Sequence, residues 1–155
     1  MKKIGALAGI LLIILCGCNR LFSPTIEIKE MKIAIYRDAY LSNKCFLLEI
    51  NPTGEVKIIG GVRKNYNIDD PNFMKVIKSE TIQLSKRQIK YLSKTFNKIT
   101  EFNGKQNVVA DGWELIIKNN DGEFKFGLKC AKDENLNKFI DKLIECLPLV
   151  SESIN

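Results

Sequence analysis

The chain of 155 residues contains no histidine, only one tryptophan and only five cysteines. Without an imidazole, no serine or cysteine can be activated by a histidine base, so the usual nucleophilic triads are excluded. No P-loop or dinucleotide motif surrounds Gly60 and Gly61. Eighteen acidic residues leave open a glycosidase-like carboxylate pair, but no pattern nominates one. We therefore expect no catalytic residue, no metal site and no cofactor.

Long apolar runs are also scarce, and the clearest one lies near the N-terminus. Residues 4–15 carry no charge and follow Lys2 and Lys3. A run of about a dozen residues is too short to cross the hydrocarbon core as a helix. A basic start, a short apolar run and a small residue before a cysteine are typical of an export signal.

The run ends in Leu15-Cys16-Gly17-Cys18, which resembles the lipobox of bacterial lipoproteins. The resemblance implies that Leu15 and Gly17 are signal-recognition positions and that Cys18 receives the lipid and becomes the first mature residue. Cleavage before Cys16 would instead place bulky Leu15 where a small residue belongs. We expect residues 1–17 to be the signal peptide and 18–25 a lipidated tether. The domain would then cover residues 26–150, with 151–155 as a tail. The resemblance implies a membrane anchor on the extracytoplasmic side, on the cell membrane or on an outer one.

Removing the signal peptide leaves 138 residues with a net charge of about +4, because Lys2 and Lys3 are lost. This length suits one domain with its own core, and the modest charge is far from a nucleic-acid footprint. Three cysteines remain, Cys45, Cys130 and Cys146, and an odd number cannot form a complete disulfide framework. We expect buried thiols, with Cys130 and Cys146 kept apart by the last helix; a bond between Cys45 and Cys130 stays open.

Alternating apolar residues predict strands, and turn residues separate them. Asn51-Pro52-Thr53-Gly54 and Asn119-Asn120-Asp121-Gly122 predict hairpin turns, and 60–72 predicts a polar loop. The strand signals are Met31, Ile33 and Ile35; Phe46, Leu48 and Ile50; Val56 and Ile58; residues 74–84; Trp113, Leu115 and Ile117; Phe124, Phe126 and Leu128.

Two helices are predicted by caps and by apolar residues at helical spacing. Ser85 and Gln88 form a capping box before a helix whose apolar stripe extends to Ile99. Asp133 caps a second helix over 134–147, which Pro148 stops. The pattern predicts an α+β fold: a two-layer sandwich with a mainly antiparallel sheet of about five or six strands and two helices on one face.

The segment from Gly112 to Gly127, with Trp113 at its start and a glycine turn at Gly122, is similar to a stretch of small exported domains of Gram-positive bacteria. The similarity covers about a quarter of the chain and implies only the fold. Trp113 lies in a strict alternation, so we expect it in the core or at its rim.

The first helix carries an unusual row of cations. Lys86, Lys90, Lys94 and Lys98 recur every four residues with Arg87 beside them, and we call these five residues the basic stripe. Like charges at this spacing repel, so packing does not require them. The stripe could bind anionic headgroups or an acidic partner. It could also reflect only the lysine-rich usage of an AT-rich genome.

These features favour a lipid-anchored, non-catalytic interaction module that binds another envelope protein, as an adaptor, an inhibitor or an immunity-type protein. The alternative is a binder of an anionic membrane surface or wall polymer through the basic stripe. An envelope hydrolase is the third hypothesis. The polar loop over 60–72, which contains Arg63, is a further candidate for recognition because loops often carry function.

Overall fold

A six-stranded antiparallel sheet forms one layer of the domain. The computed structural model describes residues 28–37, 44–63, 68, 73–105 and 112–154. The strands lie in the order β4-β3-β2-β1-β5-β6, so β4 and β6 are the edges. Their bounds are β1 Met31–Arg37, β2 Lys44–Ile50, β3 Glu55–Arg63, β4 Phe73–Gln83, β5 Trp113–Asn119 and β6 Gly122–Gly127.

Within the described residues, three helices form the other layer: α1 Lys86–Phe96, α2 Glu134–Glu145 and α3 Pro148–Ile154. The predicted capping box at Ser85 and the predicted cap at Asp133 are both present. Helix α3 was not predicted, since Pro148 begins a new helix after stopping the preceding one. Proline suits this first position because its missing N–H has no partner there. The predicted α+β sandwich is confirmed, with a third helix added.

The main core lies between the helices and one face of the sheet. Alternate residues of the central strands point into it, including Ile33, Leu48, Ile58 and Leu115. Trp113 is half-buried against this core, with its ring 6.1 Å from that of Phe46, so the prediction of a place at its rim is confirmed.

The opposite face of the sheet is less solvated than the alternation implied. A second buried cluster comprises Ala34, Tyr36, Cys45, Leu47, Ile68 and Ile116. The central strands β1 and β2 are therefore apolar on both faces, which alternation signals on one face alone do not predict.

The strand register defines two ends of the sheet. Met31, Ile50, Val56 and Ile82 lie in one row, at the end where the described chain begins with Ile28; we call this the proximal end. Tyr36, Cys45, Gly61 and Val76 lie in a row at the distal end. The two rows are five residues apart on β1, or about 17 Å at the rise of an extended strand.

Candidate functional site

The basic stripe lies on the solvent side of the first helix. Its five side chains are all exposed. Ile89, Leu92 and Phe96, on the opposite side of α1, are buried. The helix ends at Phe96, where the backbone N–H of Asn97 donates to the Ser93 carbonyl. Lys98 therefore follows the helix in a turn, and the expected continuation of the helical stripe to Ile99 is wrong.

No acidic side chain neutralises the stripe within the described ranges. None of its five residues takes part in the ion pairs found there. Helix α1 also has no acidic residue of its own in the first turn or elsewhere. The stripe is thus a concentration of exposed positive charge on one surface.

The start of the described chain lies beside α1. The backbone N–H of Ile28 donates to the Pro52 carbonyl at 3.3 Å, in the β2–β3 turn. That turn packs under the first part of α1, since a Cβ built on Gly54 would lie 2.5 Å from Ile89 Cδ1. Next along the chain, Lys29 Nζ lies 5.5 Å from the centre of the Phe96 ring, at the far end of the helix. Ile28 and Lys29 therefore lie beside α1, the first near its start and the second near its end.

A second surface, which the sequence did not reveal, lies on the edge strand β4. Met74, Val76 and Ile77 are 68%, 53% and 64% exposed, and we call these three residues the apolar edge. The register shifts between Gly60 and Gly61 and again between Val62 and Arg63 leave Ile77 and Met74 without a residue opposite them. Such bulges re-aim side chains on sheet edges. No strand of the described residues pairs with the outer side of β4.

A small cleft adjoins the apolar edge on the helix side of the sheet. Its volume is about 170 Å³, and Phe46, Ile77 and Leu149 form apolar walls. Lys44 and Lys78 line it as well. Gly60 and Gly61 form part of the lining, and a Cβ on Gly61 would lie 2.3 Å from the Lys75 carbonyl oxygen. The two glycines thus allow β4 to approach and keep the cleft open.

The predicted polar loop over 60–72 is wrong at its first four residues, because Gly60 to Arg63 continue β3. Arg63 is buried, with its guanidinium carbon 4.4 Å from the centre of the Tyr36 ring, so it is not displayed for recognition. Ile68 is buried in the second cluster. The remaining loop residues lie outside the described residues.

Near Arg63, an ion pair lies on the same face of the sheet. Lys125 Nζ lies 3.3 Å from Glu114 Oε2 and 5.4 Å from the centre of the Tyr36 ring. Glu114 is buried and is opposite Tyr36 in the strand register. A cation beside a buried carboxylate stabilises its charge, and the aromatic ring attracts both cations through its negative face. The contacts with Tyr36 and with each other give Arg63, Lys125 and Glu114 a structural role.

The three cysteines do not bond to one another. The prediction that Cys130 and Cys146 are not bonded to each other is confirmed, and the bond left open between Cys45 and Cys130 is not formed. The expectation of buried thiols holds for Cys45 and is wrong for Cys130 and Cys146, which are only half-buried. Burial raises the pKa of Cys45 to about 11, although the positive charge of Arg63 lowers it in part. Burial also raises the pKa of the Cys146 thiol. Both are protonated thiols at neutral pH, and thiols are poor nucleophiles.

Within the described ranges, no three His, Cys, Asp or Glu side chains converge so as to hold a metal ion. None of the helices described combines the length and apolar composition needed to cross a bilayer. The predicted lipobox residues Leu15, Gly17 and Cys18 lie outside the described residues.

Comparison with protein-family models and with curated proteins gives no match for this chain. The two exposed surfaces, the basic stripe and the apolar edge, are the features of the described residues that suggest a function.

Proposed function

We propose that this chain is a lipid-anchored, non-catalytic interaction module that binds another protein of the cell envelope. The observation that carries the proposal is the apolar edge. Exposed large apolar side chains that are contiguous mark interaction sites more often than isolated ones do. Here three of them lie within four consecutive positions of one strand, Met74 to Ile77.

The form of the surface supports the addition of a partner strand to β4. An extended segment laid along the outer side of β4 would bond to the backbone of the edge. Its alternate side chains would meet Val76 on one face of the sheet and the cleft beside Ile77 on the other. Lys44 and Lys78 line the cleft, with Lys78 also 3.6 Å from Glu80, and the side chain of Lys75 is exposed on the same strand. Acidic residues in the partner segment would match this excess of positive charge.

The lipid anchor would hold the protein at the cell envelope, and it is tested separately from partner binding. Cys18→Ala should leave an uncleaved precursor or release the protein from membranes, because the thiol that carries the acyl chains is missing. Fractionation and intact mass spectrometry measure this. Unchanged mature mass and unchanged membrane association of the variant would contradict the anchor.

Protein binding is tested by photocrosslinking in intact cells. A photoreactive amino acid at Val76 should capture a defined envelope protein, and the same residue at Thr81 should not. The two positions share a strand and a face, since they lie opposite Gly61 and Lys57, but they are at different ends. Equal capture from both positions, or none from Val76, would contradict binding at the apolar edge.

The captured partner is then tested against a substitution. Ile77→Glu should reduce its recovery by at least tenfold, because a charge replaces an apolar contact. The fold should be unaffected, since Ile77 is exposed. Thr81→Glu is the matched control and should leave recovery unchanged.

A further inference from the structure

The basic stripe and the point where the chain enters the domain are on the same side of the protein. Ile28 bonds to the β2–β3 turn under the start of α1, and Lys29 lies against Phe96 at its end. Nine residues lie between Cys18 and Ile28, and the ten Cα-to-Cα steps from one to the other span at most about 36 Å when fully extended. A lipid on Cys18 would therefore keep the stripe close to the bilayer.

The lysines of the basic stripe can attract an anionic surface only at short range. At physiological ionic strength the charge of an exposed lysine is screened beyond about 8 Å. A free domain would seldom stay within this range, whereas a tether raises the effective concentration of the surface around it. The five cations have no ion-paired carboxylate among the described residues, so they keep their full charge for an external anion.

We propose that the basic stripe rests on the anionic headgroups of the membrane that carries the anchor. The proposal depends on the lipid anchor of the proposed function. Both ends of α1 lie at the proximal end: its start contacts Gly54 of the β2–β3 turn, and its end contacts Lys29, which pairs with Asp121 of the β5–β6 turn. Contact through α1 would therefore bring the proximal end toward the bilayer, and the apolar edge, in the distal half of β4, would lie farther from it.

A membrane surface matches the stripe better than a compact acidic ligand does. The cations extend along the solvent side of a helix of 11 residues and the turn after it. The cleft beside Ile77 is lined by none of them. A row of exposed cations along a helix suits a surface of many equivalent anions. A soluble anionic polymer is the competing ligand, and the experiment separates the two.

The experiment is lysine footprinting of the mature, lipidated protein. The protein is reconstituted into vesicles of phosphatidylcholine alone or of phosphatidylcholine with phosphatidylglycerol, and is then briefly acetylated. Peptide mass spectrometry measures the modified fraction of each lysine. Lys90 and Lys94 should react several-fold more slowly on the anionic vesicles. Lys138 and Lys142 on α2 are the matched controls and should react equally on both.

Added salt supplies a further readout, because about 1 M salt shortens screening to about 3 Å and should abolish the protection. Equal reactivity of Lys90 and Lys94 on the two kinds of vesicle would overturn the proposal. Protection that arises only when soluble polyphosphate is added to neutral vesicles would also overturn it, in favour of a polymer ligand. Failure of the protein to float with neutral vesicles would contradict the anchor, and with it the orientation.

Discussion

Helices α1 and α2 lie side by side in one layer and bury their apolar faces in the same core, yet their exposed faces differ. Helix α2 carries three acidic and two basic residues, and it forms ion pairs between Glu134 and Lys138 at 2.8 Å and between Lys142 and Glu145. Helix α1 has four basic residues and no acidic one. On α2, a mixture of acidic and basic side chains is enough to keep the exposed face of the helix in water.

The difference in exposed charge between α1 and α2 is not required for folding. Both helices are capped, and both have a strongly apolar side, so local stability does not explain the choice of charges. Adjacent lysines on α1 repel one another by a few tenths of a kcal/mol per pair, so the stripe works slightly against the helix. Both helices belong to the same lysine-rich chain, yet α2 carries acidic residues among its lysines and α1 does not. Composition alone therefore does not account for α1.

The largest expected effect tests the likeness of the two buried faces. Leu92 on α1 and Leu143 on α2 are 0% and 1% exposed. Leu92→Ala and Leu143→Ala should each lower the free energy of unfolding by about 2–5 kcal/mol, because each leaves a cavity in the core. Urea unfolding measures this, with Lys90→Ala as the surface control expected within about 0.5 kcal/mol of wild type. A small cost at only one leucine would show that the two helices are not equally packed.

The next effect distinguishes the caps by their response to pH. Asp133 accepts hydrogen bonds from the backbone N–H groups of Thr100 and Asn135, both at 2.7 Å. These bonds, the first above all, lower the pKa of Asp133 from 3.8 to about 2. Because the folded value is the lower one, the stabilisation is complete above about pH 4 and is lost as the pH falls toward 2.

Asp133→Ala should therefore cost about 1 kcal/mol at neutral pH, and its difference from wild type should shrink toward pH 2. Ser85→Ala, at the cap of α1, should cost a similar amount at every pH because its hydroxyl does not titrate. Urea unfolding at pH 7, 4 and 2 compares the two variants. A pH-independent cost at Asp133 would contradict the lowered pKa.

The smallest effect on stability concerns the exposed charges. Lys90→Glu with Lys94→Glu should leave the melting temperature unchanged or slightly higher, because the repulsion between Lys86 and position 90 becomes an attraction, while the two glutamates repel each other no more than the two lysines did. Lys138→Glu with Lys142→Glu should lower it slightly, since two ion pairs on α2 are lost. Thermal unfolding followed by circular dichroism measures both. A marked fall in melting temperature on reversing the α1 charges would show that the stripe stabilises the fold. The charge difference between α1 and α2 would then no longer indicate a binding surface.

Local signals predicted most of the fold because they act over a few residues. The Ser85–Gln88 capping box and the turn before Gly54, whose φ is +82°, are determined by neighbouring side chains. The end of α1 at Phe96 was missed because apolar spacing continues to Ile99 while the backbone does not. The continuation of β3 through Gly60 and Gly61 was also missed, since glycine pairs usually mark turns. Here glycine is needed because β4 lies so close to Gly61.

The candidate surfaces were predicted unequally. The basic stripe could be identified from spacing alone, because its members share one side of one helix. Its place beside Ile28 depends on the packing of the β2–β3 turn under α1, which no sequence pattern encodes. The apolar edge was hidden for the same reason: Val76 and Ile77 look like core residues until the strand order places β4 at the edge.

The central claim, that α1 and not α2 meets the membrane, is tested most directly by lipid quenching. A small fluorescent amino acid is placed at Arg87 on α1 or at Asp141 on α2 of the lipidated protein, which keeps the four lysines of the stripe. Each variant is reconstituted into anionic vesicles whose headgroups carry a short-range quencher. We expect strong quenching at position 87, little at 141, and loss of the difference in high salt. Equal quenching at the two positions, or stronger quenching at 141, would contradict the account.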